Sequence, residues 1–329
     1  MNKKVKELLD LIKADDLGQV PEPAGLPALL PKPMADKVIE EIREANVVRR
    51  MFPSINVPVS TRNMTVPVVV YGAANNVRTI GYGEDATGGT ETAPVTKSIV
   101  VIPRLLVTYL DVIQDDLESA GIDLARYIRK ALTMKIAEAE EEAMILGVYN
   151  AASGSYLNIF NGIFTVANGV NCAHAAIEFA PADDLVEKIA DAKQALGAYG
   201  RNAKDLLLLV SYTFANRLRK IEKLYNVNFM PGTDVLKTGS FQPIHGIKVI
   251  EVAGLDSVDA GGGSGECAIL VRRDAFLFAQ RKGIWVKEKE LEETFSHRII
   301  MAEEIDFRPQ LLNASDKYEG MVVIADSIA

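Results

Sequence analysis

Three observations predict an α+β fold in which a long β-hairpin stands apart from a helix and an α/β unit. Residues 64–71 (MTVPVVVY) and 95–102 (VTKSIVVI) are rich in β-branched side chains and enclose a turn region with Gly81, Gly83, Gly88 and Gly89. That is the pattern of a hairpin. Residues 122–146 carry an apolar stripe of helical period, and from about Pro181 the chain alternates between helical and strand patterns.

Taken in order, the chain opens with Val5, Leu8, Leu9 and Ile12 on one face of a short helix. Glu7, Asp10 and Lys13 interrupt them, so no signal-peptide core forms. Five prolines between Pro21 and Pro33 then remove backbone donors and fix φ, which predicts an extended arm. Leu26, Leu29 and Leu30 place that arm on a surface. A short helix is predicted over 35–47, with Val38, Ile42 and Ala45 on one side. The hairpin follows. It is too long to bury both faces in a small domain, so it is predicted to lie against a second copy of the chain.

The helix behind it has clear limits. Leu124, Ile128, Leu132, Ile136, Ala139, Ala143 and Leu146 form its apolar stripe. Asp123 suits the positive end of the helix dipole, and Gly147 stops the helix. About 25 residues rising about 1.5 Å each give a rod of roughly 37 Å. Farther on, Asp183 or Asp184 opens a helix with Leu185, Ile189, Ala192 and Leu196 inward. The run 205–210 (DLLLLV) reads as a fully buried strand. Ser211 caps a helix over 212–224, strands are predicted at 247–252, 267–271, 284–287 and 297–307, and 256–265 reads as a flexible loop.

Composition narrows the function. The chain has 329 residues, 48% hydrophobic and 24% charged, with a net charge of −8. This is a globular composition without the basic face of a sequence-reading nucleic-acid protein. Two cysteines, Cys172 and Cys267, make no disulfide framework and suit a reducing compartment. His174, His245 and His297 fall in no metal-ligand spacing. The run Glu138, Glu140, Glu141, Glu142 has no histidine beside it for a di-iron site and reads as a solvated or inter-subunit face. Gly261–Gly265 lacks the Lys-Ser/Thr of a phosphate cradle, and no nucleophile elbow occurs. No catalytic residue, cofactor or metal site is assigned.

The order of parts resembles a known family. An arm ending in GLPALLPKP leads into Arg49-Arg50. The hairpin, DDLESAGIDLARYIRKAL, the long helix, DLLLLVSYTFANRLRKI, HGIKVIEV and IIMAEEIDFRPQ then follow. Together they are similar to the major capsid proteins of tailed double-stranded DNA phages, with the Hong-Kong-97-like fold. The resemblance implies an N-terminal helix and arm (1–50), an extended hairpin loop and its base (51–105), a peripheral domain with a spine helix (106–180), an axial α/β domain (181–284) and a return to the peripheral domain (285–329). It implies self-assembly into pentamers and hexamers of an icosahedral shell, inside a virion built in the host cytoplasm. The shell encloses double-stranded DNA without reading its sequence. Separate scaffolding, portal and decoration proteins are the implied partners, without membrane involvement. Inter-subunit contacts are expected at Leu26, Leu29, Leu30, Arg78, Tyr82, Glu84, Asp85, Lys97, Glu138 and Glu141.

The same fold serves encapsulin-like compartments, which store enzymes; the proline-rich arm favours the phage reading. A cytosolic α/β enzyme is the alternative from another class, and native size separates it from a shell. Some family members weld neighbours through a lysine–asparagine isopeptide bond helped by a glutamate. Lys97 offers an amine and Glu303 or Glu304 a base, but Ser296 stands where the asparagine would fall, and Asn313 lies beyond Pro309. The resemblance therefore implies a shell without covalent links. Deleting residues 74–92 is expected to leave a folded α/β domain that no longer forms stable shells by electron microscopy; normal particles from that deletion would contradict the hairpin's assigned role.

Overall fold

The computed structural model describes residues 46–69, 96–113, 123–150, 154–180, 183–221, 243–261, 267–291, 296–313 and 315–326. They form two compact units. The arm, most of the 35–47 helix and the hairpin tip lie outside the described residues, and so do Leu26, Leu29, Leu30, Arg78, Tyr82, Glu84 and Asp85. Residues 46 and 47, placed by the sequence at a helix end, instead lead through a turn into a 3-10 helix at Arg49–Met51.

One unit comprises the described parts of 1–63, 102–161 and 278–307. Its sheet runs in the order β1 (Ser54–Asn56), β9 (Phe276–Leu291), β10 (Ser296–Pro309), β4 (Arg104–Ile113). β1 pairs parallel to β9, with Ile55 opposite Ala279. β10 pairs antiparallel to β4 from Ser296↔Ile113 to Ile305↔Arg104. The terminal strands are longer than the 284–287 and 297–307 runs. Polar residues inside them, which mask the apolar pattern, are absorbed by ion pairs such as Arg281–Glu304 at 3.2 Å.

Helix α1 (Asp123–Leu146) packs on β4. Ile128, Leu132, Ile136 and Ala143 of the predicted stripe are buried, while Ala139 and Leu146 are half-buried. A second buried row, Thr133, Ala137, Glu140 and Met144, lies beside the first. The helix is thus covered over a wider arc than one stripe requires. Phe307 anchors the core: its ring meets Phe52 edge-on at 5.5 Å and Phe160 at 5.8 Å. Such pairs add about 0.5–1.5 kcal/mol beyond area burial.

The other unit holds a sheet in the order β5 (Ile177–Phe179), β11 (Met321–Asp326), β8 (Cys267–Arg272), β6 (Leu206–Val210), β7 (Lys248–Glu251). Leu206 through Val210 are fully buried, as a continuous apolar run predicts for a central strand. Helix α2 (Ile163–Ala167) is short. α3 (Leu185–Ala195) is capped by Asp184 Oδ1, which accepts from Val186 N at 3.0 Å. α4 (Tyr212–Arg219) is capped by Ser211 Oγ, which accepts from Phe214 N at 3.3 Å. α4 ends earlier than expected, because Lys220 N and Ile221 N turn back onto Arg217 O and Leu218 O at 3.1 Å. Of the predicted 256–265 loop, residues 262–265 lie outside the described residues, while 256–261 close a 3-10 helix, Ala253–Gly261, pinned by buried Leu255 and by Asp256 accepting from Tyr212 N at 2.7 Å.

The hairpin base belongs to this second unit. β2 (Met64–Val69) and β3 (Thr96–Val101) pair antiparallel from Met64↔Val101 to Val69↔Thr96. Met64, Val66, Lys97 and Ile99 are half-buried, while Thr65, Pro67, Ser98 and Val100 are exposed. Such two-faced alternation is what a ribbon needs to rest one side on a support.

Gly147 shows why the long helix stops where it does. A Cβ there would stand 2.5 Å from the carbonyl oxygens of both Ala143 and Phe160. Both are backbone atoms with no rotamer to escape into. Gly147→Ala is expected to lower stability by about 1–3 kcal/mol, read as a drop in urea midpoint; an unchanged midpoint would show that this backbone shifts freely.

Candidate functional site: a buried charge cluster, the hairpin base and an exposed sheet edge

The most unusual chemistry lies inside the first unit. Arg49, at the start of the chain's described part, is 5% exposed and reaches two fully buried carboxylates. Its Nη1 lies 3.1 Å from both oxygens of Glu140 on α1, with hydrogen-bond geometry to Oε2. The same nitrogen is 3.9 Å from Glu303 Oε2 on β10. Nη2 donates to Gln280 Oε1 on β9 at 3.2 Å, and the guanidinium lies over the Phe278 ring at 4.5 Å. Asn46 closes the group: its Nδ2 donates to Glu140 at 3.4 Å and its Oδ1 accepts from Arg49 N at 2.8 Å. Next to it, half-buried Glu141 accepts from Val47 N at 3.3 Å.

Two buried carboxylates face one guanidinium, so full ionisation would leave an uncompensated negative charge. Burial raises the Glu303 carboxyl to about 8, helped by neighbouring Glu140 and opposed by Arg49. Burial also raises Glu140, against the pull of Arg49 and Asn46. At neutral pH Glu303 is therefore a neutral acid. Neither of its oxygens has a hydrogen-bond partner among the described residues. The folded state keeps this proton to about pH 8 and the unfolded chain sheds it near 4.5. The folded state thus binds more protons in that window, and this group's contribution to stability declines as pH rises through it.

The acidic run read as a solvated or inter-subunit face is accordingly split. Glu138 is exposed, Glu142 accepts from Tyr156 Oη at 2.7 Å, and Glu140 is an internal ion-pair partner. Helical geometry explains the correction: Glu140 falls on the row of Thr133, Ala137 and Met144, where Arg49 compensates it. Of the two acids offered as a base, only Glu303 is closed to solvent. Glu303 is sealed beside Arg49, and half-buried Glu304 pairs with Arg281.

At the hairpin base, Lys97 Nζ lies 2.5 Å from Asp316 Oδ1 and donates to Asn313 O at 3.1 Å. Asn313, set beyond reach by the sequence reading, is therefore beside Lys97 of its own chain. Its side-chain carbonyl is committed to Ser315 N at 2.9 Å and Lys317 N at 3.0 Å. Asp316 is 79% exposed, so its pair with Lys97 contributes little to stability.

A third feature is the outer side of edge strand β4. Leu105, Val107 and Tyr109 alternate along it at 48%, 46% and 53% exposure. Across the register they face Glu304, Ala302 and Ile300. Arg298 closes one end by clamping Asp111 at 2.6 and 2.8 Å and covering the Tyr109 ring at 4.3 Å. Elsewhere, Cys172 is buried with Sγ 3.7 Å from Met321 O, and burial pushes its thiol up and the His174 imidazole down from their ordinary values. Among the described residues no three His, Cys, Asp or Glu side chains gather as a metal site, and no helix is long and apolar enough to cross a membrane.

Solved structures of phages and of a GTA particle share this fold. The capsid of a native GTA particle aligns with a TM-score of 0.61 at 14% identity, covering 95% of this chain and 96% of that one. The Microbacterium phage Oxtober96 structure gives 0.60 at 15% identity, covering 98% of each. A procapsid of satellite phage P4, described as including the size determination protein Sid, gives 0.55 at 13% identity, covering 88% and 98%. No curated protein sequence matches the chain. The model of the phage capsid family matches residues 28–318, and the chain belongs to that family. It is a major capsid protein, a structural component of the virion that assembles with itself into a shell.

Arg49→Met is expected to lower stability by about 3–5 kcal/mol, because it strands Glu140 without its cation. Lys97→Ala is expected to cost less than about 1 kcal/mol. Urea unfolding of both variants checks the contrast; equal losses would mean that burial does not set the strength of these pairs.

Proposed function

We propose that the chain forms the icosahedral wall around a double-stranded DNA genome, assembled in the host cytoplasm from pentamers and hexamers. The apolar strip of Leu105, Val107 and Tyr109 carries this reading. Three large apolar side chains in a row on an edge strand are poorly suited to an isolated subunit. The wall holds DNA by enclosure, in keeping with a net charge of −8. The hairpin and arm overlap neighbouring subunits through Leu26, Leu29, Leu30, Arg78, Tyr82, Glu84 and Asp85, with Glu138 on the exposed side of α1 as a further contact. Lys97 and Glu141 act at one remove, since each is tied into its own chain. A separate scaffolding protein directs assembly, and portal and decoration proteins join the shell. The P4 procapsid that includes a size determination protein supports such a division of labour.

The shell is held without covalent links. Lys97 is engaged by Asp316, Ser296 is no electrophile, and Glu303 is closed to an incoming amine. Electron microscopy of the concentrated protein with its scaffold is expected to show closed shells, and boiled mature particles a single band near 35.8 kDa. Monomers or dimers alone would overturn the assembly reading. A ladder that survives boiling and reductant would overturn only the non-covalent one.

A further inference from the structure

We propose that Arg49, Glu140 and Glu303 form a proton-dependent latch, in which a proton on Glu303 keeps the root of the N-terminal segment docked on α1 and the β9–β10 sheet. The argument begins with charge. Asn46 and Arg49 are the first and fourth described residues, and both enter a site closed to solvent. There they meet Glu140 from α1, Gln280 from β9 and Glu303 from β10. One guanidinium cannot neutralise two ionised carboxylates, so the docked state needs one proton in addition to Arg49.

Among the described residues, no other charge nearby supplies the missing compensation. On the segment, Arg50 is exposed and acts on Glu141. On α1, Glu141 is taken up by Val47 N. On β9, Arg281 is paired with Glu304 of β10. Asp306, the remaining buried acid of β10, accepts from Ile102 N at 2.7 Å and Phe307 N at 2.9 Å. Of the two carboxylates at the centre, Glu140 holds the hydrogen bonds from Arg49 and Asn46, while Glu303 has none among the described residues. The proton therefore resides on Glu303. When it leaves, Glu140 and Glu303 repel each other in a medium that screens poorly. Residues 46–50 belong to neither α1 nor the sheet, and in this mechanism they are the part that comes away, opening the peptide bonds after Arg49 and Arg50 to cleavage.

The full-length chain tests this. Infrared spectroscopy should show a buried protonated carboxyl band at neutral pH that titrates near pH 8 and is missing in Glu303→Gln. Trypsin cleavage after Arg49 and Arg50, scored as the wild-type rate over the Glu303→Gln rate at each pH, should rise about tenfold or more between about pH 6 and about pH 10. Glu140→Gln supplies a second variant: with one carboxylate left to face Arg49, Glu303 should ionise and the band should be lost at neutral pH. A wild type without the band at neutral pH overturns the proposal. So does a band that titrates while the cleavage ratio stays flat, or one that Glu140→Gln leaves unmoved.

Discussion

Arg49 carries a constraint that the rest of its unit is arranged around. A cation that is 5% exposed must be matched by buried acceptors, and it draws Glu140 from α1, Gln280 from β9 and Glu303 from β10 to one point. Removing one partner would leave an unmatched charge in a poorly screening interior. The cluster consequently sets how the start of the described chain, α1 and the sheet meet, something apolar packing alone specifies loosely. Its cost is an excess carboxylate, met by a bound proton.

A shell protein has to satisfy two opposed demands. Each subunit needs a core tight enough to survive alone, and it must also present apolar surface to its neighbours. Here the first is met by the buried Leu206–Val210 strand in one unit and by the Phe52, Phe160 and Phe307 rings in the other. For the second we propose Leu105, Val107 and Tyr109, whose exposure would be a liability in a monomer. Arg298 and Asp111 at the end of that strip add a charged rim, a common arrangement at protein interfaces.

Much of the fold was legible because local patterns carry it. The hairpin strands, the long helix ending at Gly147, the buried 206–210 strand and the Ser211 cap each follow from residues a few positions apart. Misreadings arose where a distant partner changed a residue's meaning. Glu140 reads as solvated beside three other glutamates until Arg49, ninety-one positions away, is placed against it. Residues 256–261 read as part of a mobile loop until Asp256 is seen holding Tyr212.

The sequence by itself determined the order of elements and the family, since periodicity, caps and turn residues act over one or two turns of chain. Tertiary structure alone decided which charges are internal, where Lys97 finds its partner and which side of β4 stays bare. Each of those depends on residues brought together from far along the chain, and no local pattern records burial. Glu303 and Glu304 make the point: adjacent acids on one strand point to opposite faces, so one is sealed beside Arg49 and the other pairs with Arg281 near the surface.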